Sequence, residues 1–388
     1  MNMLISACAA DNGKSGIGHY IRATTAQLAA NNGGNPCLTI YVDHGEHFLD
    51  DLATNNGRIT IKMLPRLLSG TLGSLVWHLL FLPVITLLSK PQCVLFLAAN
   101  RRLAFLPWCT TLGVVHDLSQ LHIEGKYDRF RTFYVLTLLT ALMRKLTRVV
   151  AVSHATASDL RSYVRIPPAR ISVVHNGADL SRFAAPAGRE PLARYGIDSP
   201  YILYTARLEH PGKNHVRLLN AFCKLQNRCN LQLVLAGAPW NGAEKIYAEA
   251  DRLGLGDRVV FTGFVASEDL PALVQNAHLF VFPSLFEGFG IPLLEAMAAG
   301  VPICSANRSS LPEVAGDAAC LFDPEDPDDM ARVMQKVLQS AELAADLVQR
   351  GRERAPTFTW ERSANELLAE CRRTCLLAET QRLAQPMT

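Results

Sequence analysis

The chain has 388 residues, of which 49% are hydrophobic and 19% are charged, and this composition excludes an intrinsically disordered protein. The formal net charge of +3 is too small to indicate nucleic-acid binding by itself. The length is typical of a protein with two domains, each large enough to bury a hydrophobic core.

The ten cysteines are scattered along the sequence without a CxxC pair. Several of them, including Cys93, Cys109 and Cys304, lie inside apolar runs. This pattern is typical of reduced core cysteines rather than of disulfides or zinc ligands. The N-terminus lacks the basic region and the long apolar run of a signal peptide. We therefore expect a cytoplasmic protein.

A first predicted strand within residues 1–10 is followed by the glycine loop Gly16-Ile17-Gly18 and then by a helical pattern. The loop lacks the third glycine of a dinucleotide-binding fingerprint. Taken alone, Gly16 and Gly18 predict a tight turn between a strand and a helix.

The next notable stretch, residues 72–88, is almost entirely apolar and approaches the length of a membrane span. It contains His78 and Pro83, which favours a buried or membrane-surface helix over a spanning one. Basic and aromatic side chains are interleaved further along, namely Arg129, Phe130, Arg131, Phe133, Tyr134, Arg144, Lys145 and Arg148. Together the two stretches suit an anionic membrane surface, but a helix pair with ordinary exposed charges has the same pattern.

Short apolar runs alternate with helical patterns along the chain and predict an α/β fold. The runs lack strict polar–apolar alternation, which indicates strands buried on both faces, as in parallel sheets covered by helices. The predicted strands are 38–42, 93–97, 111–115, 148–152, 201–205, 232–236, 259–262, 279–281 and 301–305.

The strand–helix pattern occurs twice, and a polar stretch with Pro and Gly over residues 184–200 separates the two sets. We predict two doubly wound, Rossmann-like domains, one over residues 1–180 and one over residues 196–357. The helical pattern at 358–388 is expected to pack back on the first domain. Two such sheets facing each other form a cleft between their strand carboxyl ends, where ligands bind.

A histidine, His116, follows the predicted strand 111–115 and precedes Asp117. This is the end of a buried strand at which doubly wound sheets bind ligands. His116 is therefore a candidate for a hydrogen bond to a ligand, and the alternative is a histidine satisfied within a loop.

Two cations, Arg207 and Lys213, lie six positions apart between the first strand of the second half and the helix after it. Side chains in such a loop can converge on a diphosphate, to which Arg offers a planar fork and Lys a compact charge. A solvated, charged loop is the alternative for this segment by itself.

The segment Glu287-Gly-Phe-Gly-Ile-Pro-Leu-Leu-Glu295 follows another predicted strand. Gly288 and Gly290 permit backbone N–H groups to approach a ligand closely, and the N-terminus of the helix that follows favours phosphate. We predict a short helix over 293–299 that carries Glu295 in its first turn, where its carboxylate can accept hydrogen bonds from ribose. Helix capping and packing explain the segment equally well when it is considered alone.

Asp326-Pro-Asp328 has the spacing of an Asp-x-Asp metal motif. It lies immediately before a helical pattern, where acidic side chains cap and complement a helix N-terminus. We therefore predict a helix cap at this position, and neither a catalytic metal nor a cofactor.

In combination these segments resemble the retaining glycosyltransferases of family four (glycosyl transferases group 1), which have the two-domain GT-B fold. Arg207 and Lys213 match the diphosphate-binding pair of that family, and Glu287 and Glu295 match its two glutamates eight positions apart. Further matches cover nearly the whole chain, and they are Gly16-Ile17-Gly18, His116-Asp117, Val152-Ser153, the segment 176–183, the segment 310–313 and Trp360.

The resemblance implies a nucleotide-sugar site in the C-terminal domain, with His116, Glu287, Arg207 and Lys213 as catalytic residues. It assigns Glu287 to hydroxyls of the transferred sugar, Glu295 to ribose, and His116 to the sugar near the reaction centre. Gly16 and Gly18 would let the sugars approach the N-terminal helix. The remaining expected donor-binding residues are Gly263, Phe264 and Val265, which hold the base largely through backbone groups, and Gly288, Phe289, Gly290, Ile291 and Leu294.

The implied reaction moves a hexose, expected to be mannose, from a nucleoside diphosphate to an acceptor hydroxyl with retention of configuration. The expected acceptor is a lipid-linked saccharide of cell-surface polysaccharide synthesis, with the protein at the inner face of the membrane. Two alternatives stay open: a sugar-nucleotide epimerase or phosphorylase of the same fold, and a non-catalytic subunit that binds a nucleotide sugar.

Overall fold

The structure, a computed structural model, describes residues 1–8, 10–30, 36–54, 56–123, 133–225 and 231–384. Arg129, Phe130 and Arg131 of the predicted basic cluster lie outside these residues. The described chain divides into two compact units. The first unit contains residues within 1–120, 133–177 and 360–384, and the second contains 121–123 and 178–359 with the gap noted above.

The first unit is built on a parallel sheet whose described strands run in the order β3-β2-β1-β4-β5-β6-β7. The strands are β1 Asn2–Ser6, β2 Cys37–Val42, β3 Ile59–Met63, β4 Cys93–Phe96, β5 Thr110–Val115, β6 Arg148–Ala151 and β7 Ile171–Val173. Every residue of β4, β5 and β6 is buried, which is the reason that these strands read as continuous apolar runs.

The helices of the first unit connect these strands, and the C-terminal helix of the chain also belongs to this unit. They are Gly16–Ala30, Asp50–Thr54, Gly70–Ser89, the π-helical turn Val135–Leu139 with Thr140–Met143, His154–Ser162 and Trp360–Ala384. The last helix is joined to the unit by a T-shaped contact between Trp360 and Tyr20 at 5.7 Å. Its Glu370 carboxylate lies 3.4 Å from Arg148 Nε.

The second unit has a separate parallel sheet whose described strands run in the order β10-β9-β8-β11-β12-β13. The strands are β8 Tyr201–Thr205, β9 Gln232–Ala236, β10 Val259–Gly263, β11 Leu279–Phe282, β12 Ile303–Ala306 and β13 Cys320–Phe322. The helices are Leu180–Ala184, Glu190–Arg194, His215–Lys224, Ala243–Arg252, Leu270–Gln275, Ile291–Ala299, Leu311–Ala315, Pro327–Gln339 and Ala341–Arg354.

Both described sheets are doubly wound, as predicted. In the second unit the strand order reverses between β8 and β11, and loops that follow two such strands flank a ligand-binding crevice. The loop after β8 carries Arg207 and Lys213, and the loop after β11 carries Glu287. The topology of this unit therefore brings two of the predicted segments to one edge of one sheet.

Candidate functional site

The centre of the candidate site is an ion pair between the two loops at the switch point. Lys213 Nζ lies 2.7 Å from Glu287 Oε1, and both side chains are largely buried. A short, charge-assisted contact in partly dehydrated surroundings is stronger than a surface ion pair. The structure thus joins the predicted diphosphate cation directly to the glutamate predicted to contact the sugar.

The loop that carries Lys213 is fixed to the sheet by hydrogen bonds from both sides. The buried hydroxyl of Tyr204 donates to the Lys213 carbonyl at 3.0 Å and lies 2.9 Å from Ser284 Oγ. The side-chain amide of Asn214 donates to the carbonyls of Pro283 and Pro324 at 3.0 and 2.7 Å. These bonds hold the two loops together, so the position of Lys213 is determined by β8 and β11.

Arg207 lies in the same loop with a different environment. Its guanidinium carbon lies 4.8 Å from the centre of the Trp240 ring, and Nη2 lies 3.4 Å from the Glu209 carboxylate. The side chain is 54% exposed, so it is accessible to a ligand from solution.

The glycine loop before helix Ile291–Ala299 has a conformation that requires glycine. Gly290 has φ of 109°, and a side-chain carbon placed there would lie 2.9 Å from Leu311. Ser310 Oγ lies 2.9 and 2.8 Å from the carbonyl oxygens of Glu287 and Phe289, which share its single O–H donor. The loop is therefore held in place and directs a helix N-terminus toward this end of the unit, a position that favours anions.

Glu295 lies in the second turn of this helix, because the helix begins at Ile291 and not at Leu293 as predicted. Pro292 fits the first turn, since proline lacks the N–H group that a helix start leaves unpaired. Burial raises the pKa of Glu295 to about 7, with Arg182 opposing the shift and Asp179 adding to it. The residue is thus a partly buried carboxyl that is half protonated at neutral pH.

The other predicted donor-binding residues of the second unit divide into exposed and buried groups. Phe264 is 78% exposed, and Gly263 before it has φ of 67°. In contrast, the side chains of Phe289 and Leu294 are buried, and Phe289 packs edge-to-face on Phe358 at 5.8 Å. Burial therefore removes the side chains of Phe289 and Leu294 from contact with a donor.

Gly288, Ile291 and Val265 are half-buried. Gly288 precedes Gly290 in its loop, Ile291 begins the helix after that loop, and Val265 follows Phe264 in the loop after β10. They lie close to the carboxyl ends of β10 and β11, at the same end of the unit as the Lys213–Glu287 pair.

The first unit contains three of the predicted site residues, His116, Gly16 and Gly18. His116 is buried and its Nε2–H donates to the Leu97 carbonyl at 2.8 Å. Burial lowers its pKa to about 4, so the ring is neutral and Nδ1 is the acceptor nitrogen. A side-chain carbon at Gly16 would have no neighbouring atom within 4 Å, whereas one at Gly18 would lie 2.3 Å from the Ala10 carbonyl oxygen.

Asp326 is the N-cap of helix Pro327–Gln339, as predicted. Its carboxylate accepts a hydrogen bond from the backbone N–H of Asp328 at 2.9 Å. The Asp328 carboxylate pairs instead with Lys224 at 2.6 Å. The two acids therefore have structural partners that explain their spacing.

Sequence reasoning missed Trp240 and Glu209, the two neighbours of Arg207. Trp240 lies in the loop after β9, 33 positions beyond Arg207 in the sequence. The available signal was the glycine at Gly237, directly after a predicted strand, since an isolated glycine there indicates a close approach of backbone.

Comparisons with known proteins identify the family of the chain. The family model of glycosyl transferases group 1 matches residues 193–354, and the model of glycosyltransferase family 4 matches residues 15–182. The chain is 33% identical over 272 residues to the serotype-specific mannosyltransferase WbdA of Escherichia coli, covering 67% of this chain and 33% of the relative. The chain therefore spans about a third of the length of that relative.

A second relative is covered more fully. The chain is 30% identical over 258 residues to O-antigen chain mannosyltransferase B of Escherichia coli, which covers 65% of this chain and 68% of the relative. The fold is similar to that of HepE from Anabaena in complex with UDP-glucose, with a TM-score of 0.73, 18% identity and coverage of 95% of this chain and 100% of the other. The chain belongs to the glycosyl transferases of group 1 and has the GT-B fold.

Proposed function

We propose that the protein is a retaining hexosyltransferase that moves mannose from a nucleoside-diphosphate sugar to an acceptor hydroxyl. The observation that carries the proposal is the Lys213–Glu287 pair at 2.7 Å, at the switch point of the second unit. It combines a cation suited to a diphosphate with a carboxylate suited to sugar hydroxyls. The names of the two Escherichia coli relatives support mannose as the sugar.

The chemistry of such a transfer depends on stabilising the departing nucleoside diphosphate. Lys213, Arg207 and the helix N-terminus after Gly290 supply positive charge and N–H donors. Arg207 is exposed and can form a bidentate contact with phosphate oxygens. This field lowers the energy of the transition state, in which negative charge develops on the leaving phosphate.

Donor binding redistributes the charges of the resting site. Lys213 pairs with Glu287 in the described structure, and a diphosphate competes with Glu287 for the ammonium group. Glu287 then accepts hydrogen bonds from hydroxyls of the transferred sugar. The leaving phosphate oxygen takes the acceptor proton on the same face of the sugar, which accounts for retention without an enzyme nucleophile.

The expected acceptor is a lipid-linked saccharide of cell-surface polysaccharide synthesis, and no metal or other cofactor takes part. The name of the O-antigen relative supports a saccharide acceptor. The cap role of Asp326 removes the reason to treat the Asp-x-Asp spacing as a metal site. Transfer is therefore expected to proceed unchanged in the presence of EDTA.

The test is a product assay after a thermal-shift screen of nucleotide sugars has identified the donor. With a saccharide acceptor, the proposal predicts one free nucleoside diphosphate for each glycosylated acceptor, with the donor's anomeric configuration kept. An isomerised donor without transfer indicates the epimerase, and a sugar phosphate formed with inorganic phosphate indicates the phosphorylase. Binding without turnover on any acceptor supports the non-catalytic subunit.

A further part of the proposal is that the first unit docks on an anionic membrane surface. Helix Gly70–Ser89 is long and apolar enough to cross a membrane, and only 28% of its most apolar 18-residue stretch is buried within the protein. The residues Leu72, Val76, Leu80, Val84 and Leu88 recur every four positions and are all exposed. Spacing of four places them along one face of the helix.

The opposite face of this helix belongs to the core of the first unit. His78 Nε2 lies 2.8 Å from Ser6 Oγ in β1, and Trp108 Nε1 donates to Thr86 Oγ1 at 3.1 Å. A helix held in this way lies along a membrane surface instead of crossing it. One face of the helix is therefore packed on the first unit, while the exposed apolar face stays accessible to lipid.

Charge around the helix favours anionic lipid. The sequence has no acidic residue between Asp51 and Asp117 but has six basic ones in that interval. Arg66 and Lys90 flank the helix and are exposed. Each basic residue near an anionic surface contributes about 1 kcal/mol to binding.

Vesicle flotation tests this docking. The protein should float with phosphatidylglycerol vesicles and less with phosphatidylcholine vesicles. Leu88→Asp should weaken binding about tenfold or more, because it places a charge where the proposal expects an apolar contact with lipid. Leu376→Asp, at a residue that is 65% exposed on the C-terminal helix, is the matched control. No flotation with anionic vesicles contradicts the docking.

A further inference from the structure

Trp240 is a large exposed aromatic residue beside one of the two proposed diphosphate cations. Its side chain is 52% exposed, and the Arg207 guanidinium carbon lies 4.8 Å from its ring centre. This distance is within the range of a cation–π contact, for which Arg and Trp are the favoured partners.

The backbone holds the two residues against each other. Beyond the ends of β8 and β9, Leu208 N–H donates to the Ala238 carbonyl at 3.0 Å and Trp240 N–H donates to the Leu208 carbonyl at 3.1 Å. Gly237 makes this approach possible, since a side-chain carbon there would lie 2.0 Å from the Ala206 carbonyl. The placement of the indole beside Arg207 is therefore part of the fold of this loop pair.

The contact places an aromatic face, and not a hydrogen-bond acceptor, beside the Arg207 guanidinium. A guanidinium stacks through its flat face, whereas its N–H groups point outward in the plane. Within the described residues, Glu209 is the acceptor in contact with Arg207, at 3.4 Å from Nη2. Unlike the Lys213–Glu287 pair, the Trp240 contact does not compete with phosphate oxygens for donors.

A fixed guanidinium binds with a smaller entropic cost than a free one. A long, exposed Arg side chain loses rotamer freedom when it binds a ligand, and a contact that orders it beforehand reduces that loss. We infer that Trp240 is a positioning residue that orients Arg207 for the diphosphate of the donor. This inference rests on the proposed function, which assigns Arg207 to the diphosphate.

Calorimetric titration of the full chain with GDP tests the inference, with guanosine as the ligand that lacks phosphate. Trp240→Leu should weaken GDP binding about two- to fivefold, the range of an exposed cation–π contact. Trp240→Phe, which keeps an aromatic face, should recover part of this loss. Guanosine binding, followed by NMR titration, should stay unchanged, and Tyr247→Leu, at another exposed aromatic residue of the same unit, should leave GDP binding unchanged.

A double variant separates positioning from other roles. In an Arg207→Gln background, Trp240→Leu should cause no further loss of GDP affinity. If Arg207→Gln weakens GDP binding but Trp240→Leu does not, the inference is overturned and the proposed site stands. If Trp240→Leu weakens guanosine equally, or acts independently of Arg207, the indole contacts the base and the inference is also overturned. If Arg207→Gln itself has no effect, the proposed diphosphate site fails.

Discussion

Glu295 makes the proposed site sensitive to pH in a way that can be calculated. Burial raises its pKa from the usual 4.5 to about 7, while the proposed function requires the ionised carboxylate to accept hydrogen bonds from ribose hydroxyls. With a pKa of about 7, roughly a tenth of the carboxyl is ionised at pH 6 and roughly nine tenths at pH 8. If only the ionised form holds ribose, donor affinity rises about tenfold over this interval.

Calorimetric titration with GDP-mannose at pH 6, 7 and 8 measures this effect, because the diphosphate diester has no ionisation of its own in that range. Glu295→Gln should bind more weakly at pH 8 and show a flat profile. Glu325→Gln, at an exposed carboxylate, should keep the slope of the unmodified protein. A tenfold rise that persists in Glu295→Gln refutes the assignment of Glu295 to ribose.

The raised pKa of Glu295 also makes the free energy of unfolding depend on pH. The folded-state pKa of Glu295 lies above the unfolded value, so the stabilising contribution is complete below about pH 4.5 and is lost as pH rises through about 7. A shift of this size corresponds to about 3 kcal/mol, an upper limit because the side chain is only partly buried. Glu295→Gln should therefore flatten the fall in unfolding free energy between pH 5 and pH 8, as measured by urea denaturation.

Three further substitutions test separate parts of the account. Glu287→Gln should lower the rate of mannose transfer strongly, by about a hundredfold or more, while circular dichroism shows an intact fold; near-normal transfer rates contradict its role. Gly290→Ala should lower the unfolding free energy by about 1–3 kcal/mol, because of its φ of 109° and the Leu311 contact. Gly254→Ala, at φ of 60° in open space, should cost less, and equal losses would exclude the Leu311 clash as the cause. Asp326→Ala should cost about 1 kcal/mol as a lost helix cap, and a loss of transfer that Mg²⁺ restores would contradict the cap role.

The buried central strands were predictable because their burial on both faces leaves continuous apolar runs. The predicted strands 201–205 and 232–236 coincide with β8 and β9. The edge strand Ile59–Met63 escaped prediction, because Thr60 and Lys62 are exposed on it and interrupt the apolar pattern. The strands Ile171–Val173 and Cys320–Phe322 are only three residues long, which is too short for a periodic signal.

The sequence predicted which loops carry the site residues, but it did not predict which side chains contact each other. Arg207, Lys213 and Glu287 were identified because each follows a buried strand, where ligands bind in doubly wound sheets. The Lys213–Glu287 ion pair joins residues 74 positions apart, and sequence periodicity carries no information on such pairs. The cation–π contact of Arg207 with Trp240 depends on the pairing of β8 with β9, which is likewise a property of the sheet.

For Phe289 and Leu294 the sequence motif predicted a ligand contact that their buried side chains cannot make. Their place in a motif suggested ligand contact, whereas both side chains pack in the core. A short motif contains residues that contact a ligand and residues that hold the backbone in place, and burial separates the two kinds. The same distinction applies to Gly16, which faces open space, and Gly18, which packs against the Ala10 carbonyl.

The measurement that tests the central claim most directly is a crystal structure of the full chain in complex with GDP. The diphosphate should lie between Arg207 and Lys213 at the N-terminus of helix Ile291–Ala299. Lys213 Nζ should then contact phosphate oxygens and no longer lie 2.7 Å from Glu287 Oε1. A diphosphate bound elsewhere, with the Lys213–Glu287 pair intact, would contradict the account.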